Sequence, residues 1–133
     1  MDELQMPELV EIRALAVPDR FEFVVGRSRH LLVSITVLPA EVTLHAIEAV
    51  GRSFDSPEFV QFRVRDERGV EYPLRSGGGA SGVSGSPCHL LQHFARPDQH
   101  DPQQLTLTWE SQGGPRGPET GDIGTFVIES RRM

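Results

Sequence analysis

The sequence contains no lysine and no asparagine, and all 13 of its basic residues are arginine. Without lysine there can be no Schiff base and no phosphate-binding P-loop lysine. Without asparagine there is no N-glycosylation site. Arginine codons are GC-rich, whereas lysine and asparagine codons are AT-rich. The composition therefore indicates a high-GC genome and not a particular function.

Cysteine and long apolar runs are also scarce. Cys88 is the only cysteine, so no intrachain disulfide can form and a disulfide-built secreted scaffold is excluded. No apolar run approaches the ~20 residues that a membrane helix needs. Residues 1–10 are acidic and lack the apolar segment of a signal peptide. We therefore expect a soluble, cytoplasmic protein.

Basic charge is outnumbered by acidic charge. The formal net charge is -6 and the pI is about 5.3. Nucleic-acid binding needs a basic face against the phosphates, and anionic membranes attract basic segments, so we expect neither partner. The 133 residues suit one domain, and 38% of them are hydrophobic, which is enough for one core.

Short runs of alternating apolar and polar residues dominate what is present. Such runs predict half-buried strands. Residues 41–50 are ambiguous: they alternate like a strand, but Pro39 and Gly51 flank them as they would flank a helix. We favour a strand. The prediction is an all-β protein, a two-sheet antiparallel sandwich, Ig-like, with seven to eight short strands. It is a single domain over 1–133, with loose tails at 1–8 and 130–133 and flexible glycine-rich loops at 75–87 and 111–124.

The strongest local signal is a hairpin turn around Asp66. A three-residue loop, 67–69, predicts a type I turn followed by a bulge, which needs a left-handed residue at its third position. Gly69 supplies that conformation without a Cβ clash. Asp66 then occupies the first position of the turn, where aspartate is favoured. We therefore predict a structural turn at Asp66, Gly69 and Tyr72.

This loop length also predicts the register of the hairpin. It pairs Val64 with Tyr72 and Phe62 with Leu74, which keeps the apolar residues on one face. Pro73 cannot donate a hydrogen bond to a neighbouring strand, so we expect the second strand at a sheet edge.

The stretch from Asp66 to Trp109 resembles a group of β-sandwich proteins of high-GC bacteria that are Ig-like in outline. The shared pattern is an aspartate turn D-x-x-G-x-x-Y, a glycine-rich loop, an F-x-x-P step and an L-x-L strand. In this sequence those features are Asp66, Gly69 and Tyr72; residues 77–85; Phe94 and Pro97; and Leu105 and Leu107. The match covers about a third of the chain. The resemblance implies a sandwich and no particular activity.

One cluster carries metal-ligating chemistry. Cys88, His89, His93 and His100 fall within 13 residues, and thiolates and imidazoles are ligands that zinc prefers. On a helix, His89 and His93 would lie one turn apart on one face. On a strand they would be about 13 Å apart, too far for one ion. Polar surface side chains and a small buried thiol explain the same residues without a metal.

Other catalytic patterns are incomplete. The glycine-rich segment 77–85 lacks the lysine of a P-loop, and Ser81 and Ser84 do not complete G-x-S-x-G. We therefore predict a non-catalytic interaction or assembly module without a cofactor. It binds a protein partner or a second copy of itself through an edge strand such as 70–74 or through the long loops. The alternative is a small metal-binding protein or metal-dependent enzyme that uses the cluster at Cys88, His89, His93 and His100, with zinc as the metal.

Overall fold

The computed structural model describes residues 12–19, 21–25, 28–50, 60–80, 88–114 and 117–129. These ranges contain ten strands and no helix. The described residues therefore form no helix that could span a membrane. The strands are β1 (Ala14–Ala16), β2 (Phe21–Val25), β3 (Ser28–Val37), β4 (Glu41–Val50), β5 (Val60–Asp66), β6 (Glu71–Tyr72), β7 (Leu74–Ala80), β8 (Cys88–Ala95), β9 (Gln104–Gly114) and β10 (Gly117–Val127).

The strands form two antiparallel sheets. The first has the order β1-β3-β4-β8-β7, with β2 also paired to β3, and the second has the order β10-β9-β5-β6. The predicted all-β, two-sheet antiparallel sandwich is confirmed. The described residues contain ten strands where seven to eight were predicted.

The core lies between the two sheets, because alternate residues of each strand point inward. The first sheet contributes an aliphatic layer centred on β3 and β4, and the second contributes larger aromatic residues. The most deeply buried side chains include Leu32, Ile35, Val42, Leu44, Phe94, Phe62, Val64, Tyr72, Leu105, Leu107 and Trp109.

Residues 41–50 form a strand, as favoured from the sequence. They are β4, which lies between β3 and β8 and pairs with both along most of its length. Pro39 and Gly51 resemble helix boundaries only locally. The buried alternation of Val42, Leu44 and Ala46 has a period of two, and it determines the outcome because it fits a sheet with one face in the core.

The hairpin register is confirmed in one pair and wrong in the other. Val64 pairs with Tyr72 as predicted, but Leu74 pairs with Phe94 of β8 and not with Phe62. Pro73 lies between β6 and β7 and has no N–H to continue the ladder. Its carbonyl accepts a hydrogen bond from Ala95 at 2.8 Å, and the chain crosses there to the other sheet. The expected edge position is confirmed for both strands, since β6 and β7 each end a sheet.

Parts of the two predicted glycine-rich loops are strands instead. Residues 74–80 form β7, and residues 111–114 and 117–124 belong to β9 and β10. Glycine disfavours strands by itself, but here it makes room for a neighbour. A Cβ on Gly121 would lie 2.5 Å from Cε2 of Trp109 on the paired strand. The rest of these loops, at 81–87 and 115–116, and the predicted tails at 1–8 and 130–133 lie outside the described residues.

The side chain of Gln92 on β8 links the first sheet to β5 of the second sheet. This buried side chain accepts a hydrogen bond from the Phe62 N–H at 2.9 Å and donates one to the Val60 carbonyl at 2.8 Å. These backbone groups are available because β6 pairs only with Val64 and Arg65 of β5. Gln92 therefore positions β8, and with it β7, against the second sheet.

Candidate functional site

The turn after β5 has the geometry predicted from the sequence. The Gly69 N–H donates to the Asp66 carbonyl at 3.0 Å, and the Asp66 N–H donates to the Val70 carbonyl at 3.1 Å. Gly69 has a φ of 79°, which is the left-handed conformation that the bulge requires. The predicted roles of Asp66, Gly69 and Tyr72 in a structural turn thus agree with the geometry.

The Asp66 carboxylate is the centre of a dense hydrogen-bond network. It is only 3% exposed, and one oxygen accepts from the backbone N–H groups of Arg68 and Val70. The other oxygen accepts from the Arg68 guanidinium at 2.8 Å and from the Tyr72 hydroxyl at 3.2 Å. Burial opposes ionisation, but these hydrogen bonds outweigh it and lower the pKa of Asp66. Burial, followed by the nearby Asp66 charge, raises the pKa of Tyr72.

Arg68 and Glu67 connect this turn to the loop between β8 and β9. Arg68 makes a bidentate contact with Asp98, at 2.9 and 3.1 Å, and this hydrogen bonding is the main cause of the lowered pKa of Asp98. Glu67 accepts from the Gln103 N–H at 2.7 Å and contacts the His100 ring at 2.5 Å. Burial opposes ionisation of Glu67, but the hydrogen bonds lower its pKa to about 2. We call Asp66, Glu67, Arg68, Asp98 and His100 the turn cluster.

Part of the turn cluster has the spacing of a metal site. One ligand atom each from Asp66, Glu67 and His100 lies within 4.8 Å of the others. All the carboxylate oxygens of Asp66 and Glu67, however, already accept hydrogen bonds. A cation there would have to displace the Arg68 guanidinium from Asp66 and take the place of the proton between His100 and Glu67. These residues therefore connect the turn after β5 to the loop between β8 and β9.

The histidines of the predicted cluster lie in three different surroundings. His89 and His93 are on β8, which is a strand, and His100 belongs to the turn cluster. His93 contacts the Thr43 hydroxyl at 2.9 Å and lies 3.7 Å from Glu41. Cys88 begins β8, and its side chain is outside the described part of the structure.

His89 has a partner that the sequence did not reveal. Its Nδ1 lies 3.1 Å from Nε2 of His45, with the rings 5.3 Å apart and inclined by 25°. The two histidines come from β4 and β8, 44 residues apart, and the register of these strands makes them neighbours. Burial, and then the charge of His89, lowers the pKa of His45, which favours the neutral ring.

The edge of the first sheet has a different character. β7 is its last strand, and no described strand pairs with its other edge. Five of its seven residues are serine, glycine or alanine, so most of its own side chains are too small to cover the backbone. Leu91, on the neighbouring β8, is 44% exposed on the outer face. Arg75 is exposed and makes no ion pair with any described residue.

A shallow cleft lies at the opposite side, where β1 and β10 approach each other. Its volume is about 260 Å³, which is below the roughly 300–1,000 Å³ of typical ligand pockets. Val17 and Val127 are exposed at its mouth. The cleft is lined by Leu15, Ala16, Val17, Pro18, Phe126, Val127 and Glu129. A single carboxylate among apolar residues does not make a catalytic set.

The chain matches no family model, no curated protein and no solved structure.

Proposed function

We propose that this protein is a non-catalytic interaction module that binds an extended segment of a partner protein along the edge strand β7. The partner would add a strand to the six-stranded sheet, with its backbone pairing to β7. Main-chain hydrogen bonds then give affinity, and alternate side chains give specificity. The observation that carries the proposal is the small-residue backbone edge of β7.

The two long edge strands of the described residues differ in how they are protected. β10 contains Pro118, two register shifts against β9 and the carboxylates Glu119 and Asp122. Proline, bulges and charges are the usual devices that prevent pairing at a sheet edge. Over its seven residues β7 has no proline, one charged residue and one register shift, next to Leu74. Its backbone is therefore the more open template.

The outer face beside β7 offers a place for the partner's side chains. Ser76 pairs with His93, and Gly78 pairs with Leu91. Cross-strand partners share a face of the sheet, so Ser76 and Gly78 leave a shallow groove beside the larger side chains of His93 and Leu91. An apolar side chain of an added strand could lie across Gly78 and cover Leu91, which is partly exposed.

The charge distribution indicates the chemistry of the partner. β7 and β8 together contain one arginine, two histidines and no carboxylate, although the whole chain has a net charge of -6. The exposed Arg75 side chain lies at the start of the edge. The proposed ligand is thus an extended peptide that alternates apolar and polar positions and carries carboxylates toward Arg75.

We also propose that the protein is related to Ig-like sandwich proteins of high-GC bacteria and that it is located in the cytoplasm. The turn at Asp66, Gly69 and Tyr72 supports the first. The single cysteine is compatible with a reducing compartment and supports the second.

The proposal is tested by selecting binders from a random 12-residue peptide library and mapping one selected peptide by NMR. Amide shifts should concentrate on β7 and β8. Ser76→Glu places a carboxylate in this groove and should weaken peptide binding at least tenfold. Thr120→Glu adds the same group to an exposed position of β10 and should leave the affinity within twofold.

Three results would overturn the proposal: no saturable peptide binder, shifts centred on the cleft between β1 and β10, or equal loss for both variants. Sedimentation of the free protein tests the other occupant, a second copy. A dimer that Ser76→Glu dissociates and Thr120→Glu preserves would replace the partner peptide by self-association.

A further inference from the structure

The pair of histidines on the outer face of the first sheet carries an inference that is independent of the proposed function. His45 on β4 and His89 on β8 are joined by an Nε2 to Nδ1 distance of 3.1 Å. Both lie on the outer face, His45 partly buried and His89 exposed. Paired strands hold their backbones on both sides, since β4 also pairs with β3 and β8 also pairs with β7. The two rings are therefore presented by rigid elements.

The distance between the ring nitrogens fits two ligands of one transition-metal ion. Metal–imidazole bonds of about 2.05 Å place two nitrogen ligands about 2.9 Å apart at a right angle and about 3.3 Å apart at the tetrahedral angle. The observed 3.1 Å lies between these values. The contact is a hydrogen bond in which one ring donates its N–H to the other. An ion can bind both nitrogens only when the donor ring carries its proton on its other nitrogen, a tautomer open to any neutral imidazole.

We infer that His45 and His89 form a surface site for a late first-row divalent cation, in which the two imidazoles hold the ion and water completes its coordination. Imidazole ligands suit Cu²⁺, Ni²⁺ and Zn²⁺, and affinity rises to Cu²⁺ in this series. The described residues provide no third histidine or carboxylate close enough to join the pair, because the only group of three such residues is in the turn cluster. The open positions leave the ion accessible from solvent.

This site differs from the cluster that the sequence indicated. His93 lies further along β8 and contacts Thr43 and Glu41, and His100 contacts Glu67. Neither is needed to hold the ion. His93 shares the strand and the outer face with His89, so it is the matched control for substitutions at the pair.

The first test is a calorimetric titration of the full chain, without a histidine tag, with NiCl₂. All variants are made in a Cys88→Ser background to remove thiol binding. We expect one Ni²⁺ per chain, at least tenfold weaker binding in His45→Ala and in His89→Ala, and a change below twofold in His93→Ala. Absence of a saturable one-ion event, or an equal loss in His93→Ala, overturns the site.

A second measurement on the unmutated protein keeps the result independent of folding defects in the variants. Cu²⁺ added well below one equivalent should broaden the imidazole NMR signals of His45 and His89 before those of His93 and His100. Broadening that begins at His100, next to Glu67, would assign the metal to the turn cluster and overturn the inference.

Discussion

The turn cluster and the β7 edge differ in how their polar groups are paired. At the turn cluster, Asp66 and Glu67 accept hydrogen bonds from their own turn and from the loop after β8. At β7, the backbone on one side pairs with β8, and no described strand takes the other side. Polar groups that are satisfied within the chain stabilise it, whereas polar groups left facing outward are available to a partner. The turn cluster is therefore a structural region, although it contains acidic residues and a histidine, whereas the β7 edge is the proposed binding region.

The largest expected effect is that of Asp66→Ala. It removes the buried acceptor of the Tyr72 hydroxyl and of two backbone N–H groups of the turn, and Arg68 keeps only its contact with Asp98. Losing several hydrogen bonds to one buried charged group costs about 3 kcal/mol, and we expect that loss in the free energy of unfolding measured by urea denaturation. Asp122→Ala is the control, because that residue is exposed on β10 and its side chain makes no hydrogen bond with a described residue, so it should cost less than about 0.5 kcal/mol. Equal effects would show that the network does not stabilise the turn.

Acid should weaken the turn cluster next most strongly. The pKa of Glu67 is lowered from an ordinary value of 4.5 to about 2, so its contribution is complete above pH 4.5 and is lost as the pH falls toward 2. Because Glu67 is a quarter exposed, we expect a contribution of only about 1–2 kcal/mol. In urea denaturation, wild type and Glu67→Gln should differ at pH 6 and converge near pH 2. A constant difference across this range would contradict the assignment.

Glycine substitutions should distinguish the two regions by their backbone geometry. Gly69→Ala forces a Cβ into a φ of 79° and should cost about 1 kcal/mol, although nothing lies within 4 Å of the new atom. Gly69→Asn should cost less, since asparagine tolerates this conformation. Gly77→Ala on β7 introduces no left-handed φ, but its Cβ would lie 3.1 Å from Cγ of Gln92, which two hydrogen bonds to β5 hold in place, so we expect about 1 kcal/mol from crowding. Thermal unfolding compares the three variants, and a loss in Gly69→Asn equal to that in Gly69→Ala would show that the left-handed conformation does not cause the effect at the turn.

The smallest stability effect should come from Ser76→Glu. Ser76 is exposed on β7 and makes no side-chain hydrogen bond with a described residue, so the free energy of unfolding should change by less than about 0.5 kcal/mol. The same variant should weaken peptide binding at least tenfold. Denaturation and binding measured on one preparation check both expectations. If stability falls together with affinity, the loss of binding reports unfolding and not a blocked edge.

The features that could be predicted from the sequence depend on local chemistry. The turn needs an acceptor at Asp66 and a left-handed glycine three residues later, and both are visible in a few letters. The alternation of apolar residues likewise marks β4, β5 and β9 because each has one face in the core. A sandwich follows from several such strands in succession.

The features that could not be predicted depend on distant neighbours. β10 contains glycines that suggest a loop, yet Gly121 is small because the Trp109 ring lies against it from the paired strand. The crossing at Pro73 places Leu74 in the other sheet, and nothing local specifies that sheet. His45 and His89 become neighbours only through the pairing of β4 with β8. Spacing along the chain therefore gave no indication that His45 lies next to His89.

The most direct measurement is residue-by-residue amide hydrogen exchange, without and with a peptide selected against the protein. Amides in β7 should exchange at least tenfold more slowly in the complex, while those of β10 and of the turn at Asp66 keep their rates. Protection that develops along β10 while β7 stays unchanged would contradict the claim that the bare edge of the first sheet is the binding surface.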